Sequence, residues 1–226
     1  MIKKNMSNTD SKLPLWVQDR DKVITNNEGV EWRKGKRPDY SNNDRVFQQE
    51  SKHDHQKGSL EAIVHNLVRT FEMEVSNKID PQQWLSVVAD KFRMSSNGGK
   101  EYTAQETAEQ GTYNLFMSQN QYYNPKEETF ESSSEVFNTV FPEGFLWEVI
   151  EVLSGPPNVT FKWRHWGTFK GNFKEHKPTG KTIEIIGISL ARLTEDLKIL
   201  SIEHYFDNSK FIKDLTAGSC PFNSQK

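Results

Sequence analysis

Arg164, His165, Glu184, Glu203, His204 and Asp207 are ionisable side chains set inside runs of aromatic and β-branched residues between Phe161 and Asp207. A charge in such a run is costly unless it is paired or lines a wet cavity, so their company points to a pocket. The chemistry open to carboxylates and imidazoles there is proton transfer. An apolar wall raises a carboxyl's pKa, and histidine already titrates near neutrality. Two readings compete for Asp207: a general acid/base, or the cap of a helix beginning near Ser209. Glu203 reads as a salt bridge to Arg164 or Arg192, or as a helper of Asp207. His165 is either a proton shuttle or a packed histidine between Trp163 and Trp166, while Glu184 and His204 suit cross-strand pairs. Trp147, Trp163, Trp166 and Tyr205 are expected to wall the pocket, with Arg164 and Glu184 binding ligand beside them.

Strands must position these groups. Residues 161–169, 182–190 and 198–207 are rich in strand-forming residues and bounded by Gly, Pro, Asn or Asp, and 145–153 reads the same way. Along the last strand, Ser201, Glu203, Tyr205 and Asp207 share one face and Leu200, Ile202, His204 and Phe206 the other. At about 3.3 Å per residue, Glu203 and Asp207 stand about 13 Å apart. That is too far for a carboxylate pair working on one bond.

Helices come first in the chain. Leu60, Ile63, Val64, Leu67, Val68, Phe71 and Val75 recur with helical period behind Ser59, a good N-cap. Asp80-Pro81 opens a short second helix carrying Trp84 and Leu85. A first strand is expected over 87–94, ended by Asn97-Gly98-Gly99, and further helices over 103–117, from 125 or 126 to 140, and over 208–215. Helices followed by antiparallel strands predict an α+β domain over 58–215, a cone of helices on a strongly curved sheet. Residues 1–30 read as a disordered tail, 31–57 as an extended arm on the domain surface, and 216–226 as a second tail.

Composition narrows the function. A formal charge of -2 over 226 residues leaves no basic footprint for nucleic acid. No run approaches the roughly 18 apolar residues of a membrane span. One cysteine, Cys220, closes no internal disulfide, and the polar start lacks a secretory core, so a cytoplasmic chain is expected. His53-Asp54-His55 fits no standard zinc spacing and reads as a hydrated loop, with no metal expected. The chain carries no phosphate-cradling loop, dinucleotide fingerprint or nucleophile elbow, which leaves cofactor-independent chemistry.

Gly167-Thr168-Phe169-Lys170-Gly171-Asn172-Phe173, Pro178-Thr179-Gly180-Lys181, Gly187-Ile188, Lys198-Ile199 and Asp207 together resemble the SnoaL-like polyketide cyclases of the nuclear transport factor 2-like superfamily. The chain is more similar still to the plant-type pathogen-related proteins. That likeness rests on Trp32-Arg33, Gly58-Ser59-Leu60-Glu61, Tyr123-Asn124-Pro125, Ser154-Gly155-Pro156-Pro157, Arg164-His165-Trp166-Gly167 and Cys220-Pro221-Phe222. It implies an α+β cone, three helices on a bent antiparallel sheet. SnoaL-like cyclases close a ring by an aldol step with an aspartate near the end of the last strand, which implies Asp207 facing the cavity with Glu203 beside it. Glu203 itself departs from the apolar residue many cyclases carry.

The expected function is binding of a small, largely apolar ligand in the cone, with acid/base isomerisation or cyclisation at Asp207 aided by His165 or Glu203. The alternative is a non-catalytic interaction or dimerisation module with a filled cavity and a homodimer through the sheet face. A hollow of about 300 Å³ or more with Asp207 reaching into it would separate the two.

Overall fold

The structure, a computed structural model, describes residues 13–218. The outer parts of both tails, Cys220-Pro221-Phe222 included, lie outside the described residues.

Helix α3 (Leu60–Asn77) is the long support of the fold. Ser59 accepts a hydrogen bond from the Ala62 amide, and Val64, Leu67, Val68, Phe71 and Val75 bury one face, as their period requires. Asp80 caps only a 3-10 turn, Pro81–Gln83, so Trp84 ends that turn rather than riding on a helix. The helix expected over 103–117 is two: α4 (Ala104–Gln110), opened by a Thr103/Glu106 capping box, and α5 (Thr112–Phe116). Gly111 divides them with φ of 78°, where a side chain would also meet the Phe130 ring. Helix α6 (Phe130–Val140) starts later than the Asn-Pro step suggests. Asn124 instead takes the Lys126 amide in a turn, and Thr129 caps the helix with Ser132.

The sheet contains β1 (Arg93–Ser96), β2 (Tyr102–Thr103), β3 (Leu146–Ser154), β4 (Asn158–Thr168), β5 (Thr182–Leu193) and β6 (Ile199–Phe206), in the spatial order β2-β1-β6-β5-β4-β3. Pairing is antiparallel except between β1 and β6, which run parallel. The strand expected over 87–94 is largely a turn, because the amides of Lys91 and Phe92 bond back to the Val88 carbonyl. Register shifts in β3 and near Arg192 bend the sheet into an α+β cone. Helix α7 (Asn208–Leu215) closes the described chain and buries Phe211 and Leu215.

The N-terminal segment departs most from expectation. Residues 13–30 are not a free tail: a 3-10 turn, Leu15–Val17, and α1 (Arg20–Thr25) bury Val17, Val23 and Ile24 against the domain. The arm over 31–57 begins extended, Trp32 bridging to Lys78, but then forms α2 (Ser41–Glu50). Its few apolar residues are too sparse for a core of their own. They fold by docking singly onto α3 and the sheet, a tertiary rescue that local composition does not show.

Candidate functional site

Between α3, α5 and the inner face of the sheet lies a cavity of about 210 Å³. Its wall is mostly aromatic, with Phe116, Phe145, Trp147, Trp163, Phe206 and Phe211 among the lining residues. Gly187 makes room for this wall: a side chain there would meet the Trp163 indole. Polar side chains break the apolar lining, Glu72, Tyr113, His165 and His204 among them, with Arg20, Asn43, Asp44 and Arg69.

Glu72 comes from α3, four residues beyond Val68 in the row that starts with Leu60 and Val64. Among the described residues its carboxyl has no hydrogen-bond partner. Burial pushes its pKa up to about 7, against a smaller opposing pull from Arg69 and Arg20. Those two guanidiniums are already engaged, both donating to Asp44 Oδ1 of α2. Arg20 also lies 3.6 Å over the Tyr40 ring. The Tyr113 hydroxyl is likewise unpartnered among the described residues. Burial, reinforced by the Glu72 charge, raises its pKa and keeps it protonated. The cavity therefore offers one carboxyl able to gain or lose a proton near neutral pH, beside fixed donors.

Both histidines are neutral at that pH. Burial lowers the pKa of His165 to about 3 and of His204 to about 4. His165 stacks on Phe145 with ring centroids 3.9 Å apart. His204 Nδ1 lies 2.7 Å from Ser189 Oγ, which accepts a 2.7 Å hydrogen bond from Trp163 Nε1. The other ring nitrogen, Nε2, is buried with no partner in the structure.

The model of the SnoaL-like polyketide cyclases matches residues 87–215, more than half of the chain. This chain belongs to that family. It is also 34% identical over 205 residues to Pathogen-related protein of Hordeum vulgare, spanning 84% of this chain and 87% of that one. Among solved structures, a SnoaL-like protein of Jannaschia Sp. CCS1 overlays 74% of this chain and 100% of its own at 16% identity and a TM-score of 0.38. IdmH of Streptomyces antibioticus overlays 66% and 96% at 12% identity and a TM-score of 0.43.

Several residues of this SnoaL-like chain stand elsewhere than the sequence suggested. Asp207 does not look into the cavity. It is exposed and caps α7 by accepting the Lys210 amide at 2.9 Å. The face of β6 that turns inward is the drier one, Ile202, His204 and Phe206, so strand alternation sends Glu203, Tyr205 and Asp207 outward. Tyr205 is 41% exposed, and Glu203 hydrogen-bonds it rather than pairing with Arg164 or Arg192. On the outer face of β5, Ile186, Ile188 and Leu190 also stand in solvent.

Arg164, Trp166 and Glu184 lie on the outer face as well, under the arm. Arg164 pairs with Glu148 and Glu184, Trp166 donates to Glu50, and Lys52 reaches Glu184. His53-Asp54-His55 is more than a hydrated loop, since His53 meets Glu148 and His55 Nε2 bonds the Val149 carbonyl. Among the described residues no group of three His, Cys, Asp or Glu is arranged to hold a metal, and no helix is long and apolar enough to cross a membrane. Of the expected site residues, Trp147, Trp163 and His165 are the ones that line the cavity.

Glu72 escaped the sequence reading although it left a signal, a carboxylate continuing a four-residue apolar row on a buried helix. His204 left a similar one, an imidazole alternating with Ile202 and Phe206. The capping role of Asp207 gives a direct check. Asp207→Ala should cost about 1 kcal/mol in urea unfolding, the usual value of a lost N-cap, and leave ligand binding in the cavity unchanged. A binding defect larger than the stability defect would restore the cavity role to Asp207.

Proposed function

We propose that this protein binds a small, largely apolar ligand in the cone and moves a proton on its carbon skeleton, with Glu72 as acid and base and without a cofactor. The observation that carries this reading is the unpaired Glu72 carboxyl, held near neutrality in an aromatic cavity. At about 210 Å³ the space suits a compact ring system rather than a drug-sized molecule of roughly 300 Å³ or more. The cavity is smaller than the roughly 300 Å³ expected of an open ligand site and Asp207 stands outside it, so the ligand reading rests on Glu72 and not on the expected aspartate. Burial of the ligand among aromatic rings supplies affinity, and the same dry wall keeps Glu72 poised to take a proton from carbon and return it.

Deuterium uptake from heavy water by the carbon acid 2-tetralone tests the proposal. The native protein is expected to speed uptake over buffer by about 100-fold or more, as a placed general base does. Glu72→Gln should bring the rate back to that of buffer. Equal rates with native protein and buffer, or full activity in the Gln variant, would overturn the assignment.

A further inference from the structure

We infer that residues 40–44, at the start of α2, form a gate whose release lets a ligand enter and leave the cavity. The inference rests on the proposed reading of the cavity as a ligand site and adds the way into it.

One wall of the cavity is held unlike the others. Tyr40, Asn43 and Asp44 line it, yet of the ten residues of α2 only Val46 is buried, whereas α3 buries eight of its eighteen. A wall with so little apolar burial opens at the lowest cost. What holds it is polar. Arg20 and Arg69 both donate to Asp44 Oδ1, Arg20 lies over the Tyr40 ring, and Asn77 Nδ2 donates to the Tyr40 hydroxyl at 2.9 Å. Two guanidiniums thus share one carboxylate oxygen, and without its charge they repel each other.

The flanks of this segment suit a swing about the far end of α2. There Val46 packs with Leu146 and Trp166, Trp166 Nε1 donates to the Glu50 carboxylate, and Arg164 donates to the Glu50 carbonyl. Ahead of the gate Arg33 is anchored on the Ala108 carbonyl, but Lys34, Gly35, Lys36 and Arg37 all stand in solvent and leave slack in the chain. Asn43 closes against Gly144, where any side chain would collide with its amide. Breaking the ion triad and one hydrogen bond therefore frees residues 40–44 while Val46 and Glu50 stay in place. The sheet and α3 offer no such door, because their cavity-facing residues belong to the apolar core.

Stopped-flow quenching of tryptophan fluorescence by 2-acetonaphthone tests the gate, with Trp147 and Trp163 as reporters on the cavity wall. Asp44→Asn keeps the shape of the side chain and removes its charge, so association and dissociation should both quicken about tenfold, the worth of a charge-assisted hydrogen bond. Tyr40→Phe, which loses the Asn77 bond and no charge, should raise both rates about threefold. In the native protein, raising sodium chloride from about 0.05 M to about 0.5 M should quicken both about twofold, a response that Asp44→Asn should lose. Tyr40→Phe and the salt series read the same barrier if the Asn variant fails to fold. Rates that rise together mark a barrier on the route in, whereas a residue that merely touches the ligand alters dissociation. Association unchanged by the variants and by salt, or a change confined to dissociation, overturns the gate and leaves the ligand reading standing. No binding of the probe by the native protein overturns the ligand reading and the gate with it.

Discussion

Glu72→Gln should abolish a loss of stability that the native protein shows as pH rises from about 4.5 to about 7. In the unfolded chain the carboxyl titrates near its ordinary value of 4.5, whereas in the cavity it keeps its proton to about 7. Below the lower value both states are protonated and the favourable contribution is complete. Between the two values the unfolded state ionises first and is favoured, and above the higher value the contribution is gone. The full displacement corresponds to roughly 3 kcal/mol, which water entering the cavity reduces to about 1–2 kcal/mol. Urea unfolding of both proteins at pH 4.5 and pH 8 reads the effect directly. The Gln variant should gain on the native protein by that amount at the higher pH, and other carboxylates cancel in the difference. Parallel pH profiles would mean that Glu72 is hydrated and ordinary.

Arg164→Met should cost more, about 3–5 kcal/mol, because it strands a charge in the interior. Glu148 is fully buried and Arg164 nearly so, with Nη1 3.0 Å from the carboxylate and 3.1 Å from the Glu50 carbonyl. The guanidinium also lies 3.9 Å from the centroid of the Trp166 ring. Without it Glu148 keeps, among the described residues, the Lys52 and His53 amides and the His53 ring. The double variant Arg164→Met with Glu148→Leu should recover most of the loss, since replacing both charges leaves nothing unpaired. The midpoint of guanidinium chloride unfolding checks both. A single-variant loss under about 1 kcal/mol would show the pair to be solvated and of little weight.

The order of elements and the curved sheet could be read from the sequence because their signals are local. Ser59 before a helical period, Asp80-Pro81, and β-branched runs closed by Gly and Pro each act within a few residues. Long-range facts were harder to see. Whether the strand holding His204 and Asp207 turns its even or odd residues inward depends on one residue of parity, and the resemblance to cyclases suggested the wrong parity. His165, Trp147 and Trp163 were found since aromatic residues flank them on strands. Glu72 was passed over because a glutamate on an amphipathic helix ordinarily marks the wet edge of its apolar stripe. Tyr113 and Phe116, with the arm residues Tyr40 and Phe47, line the same cavity and make that edge an interior. Arg164 and Glu184 were rightly seen as charges needing partners, but those partners come from the arm, more than 100 residues away in the case of Glu50 and Lys52.

The arm carries the packed body of the molecule beyond the segment matched by the SnoaL-like family. Tyr40, Asp44 and Phe47 border the cavity, and Glu50 and Lys52 seal the ion pairs behind it, yet all precede residue 87, where the shared SnoaL-like segment begins. Cutting the gene at that point would remove one side of the cavity and open the Arg164–Glu148 pair to water. The cone and the arm pack as one body, and part of the cavity wall comes from residues outside the segment matched by the SnoaL-like family.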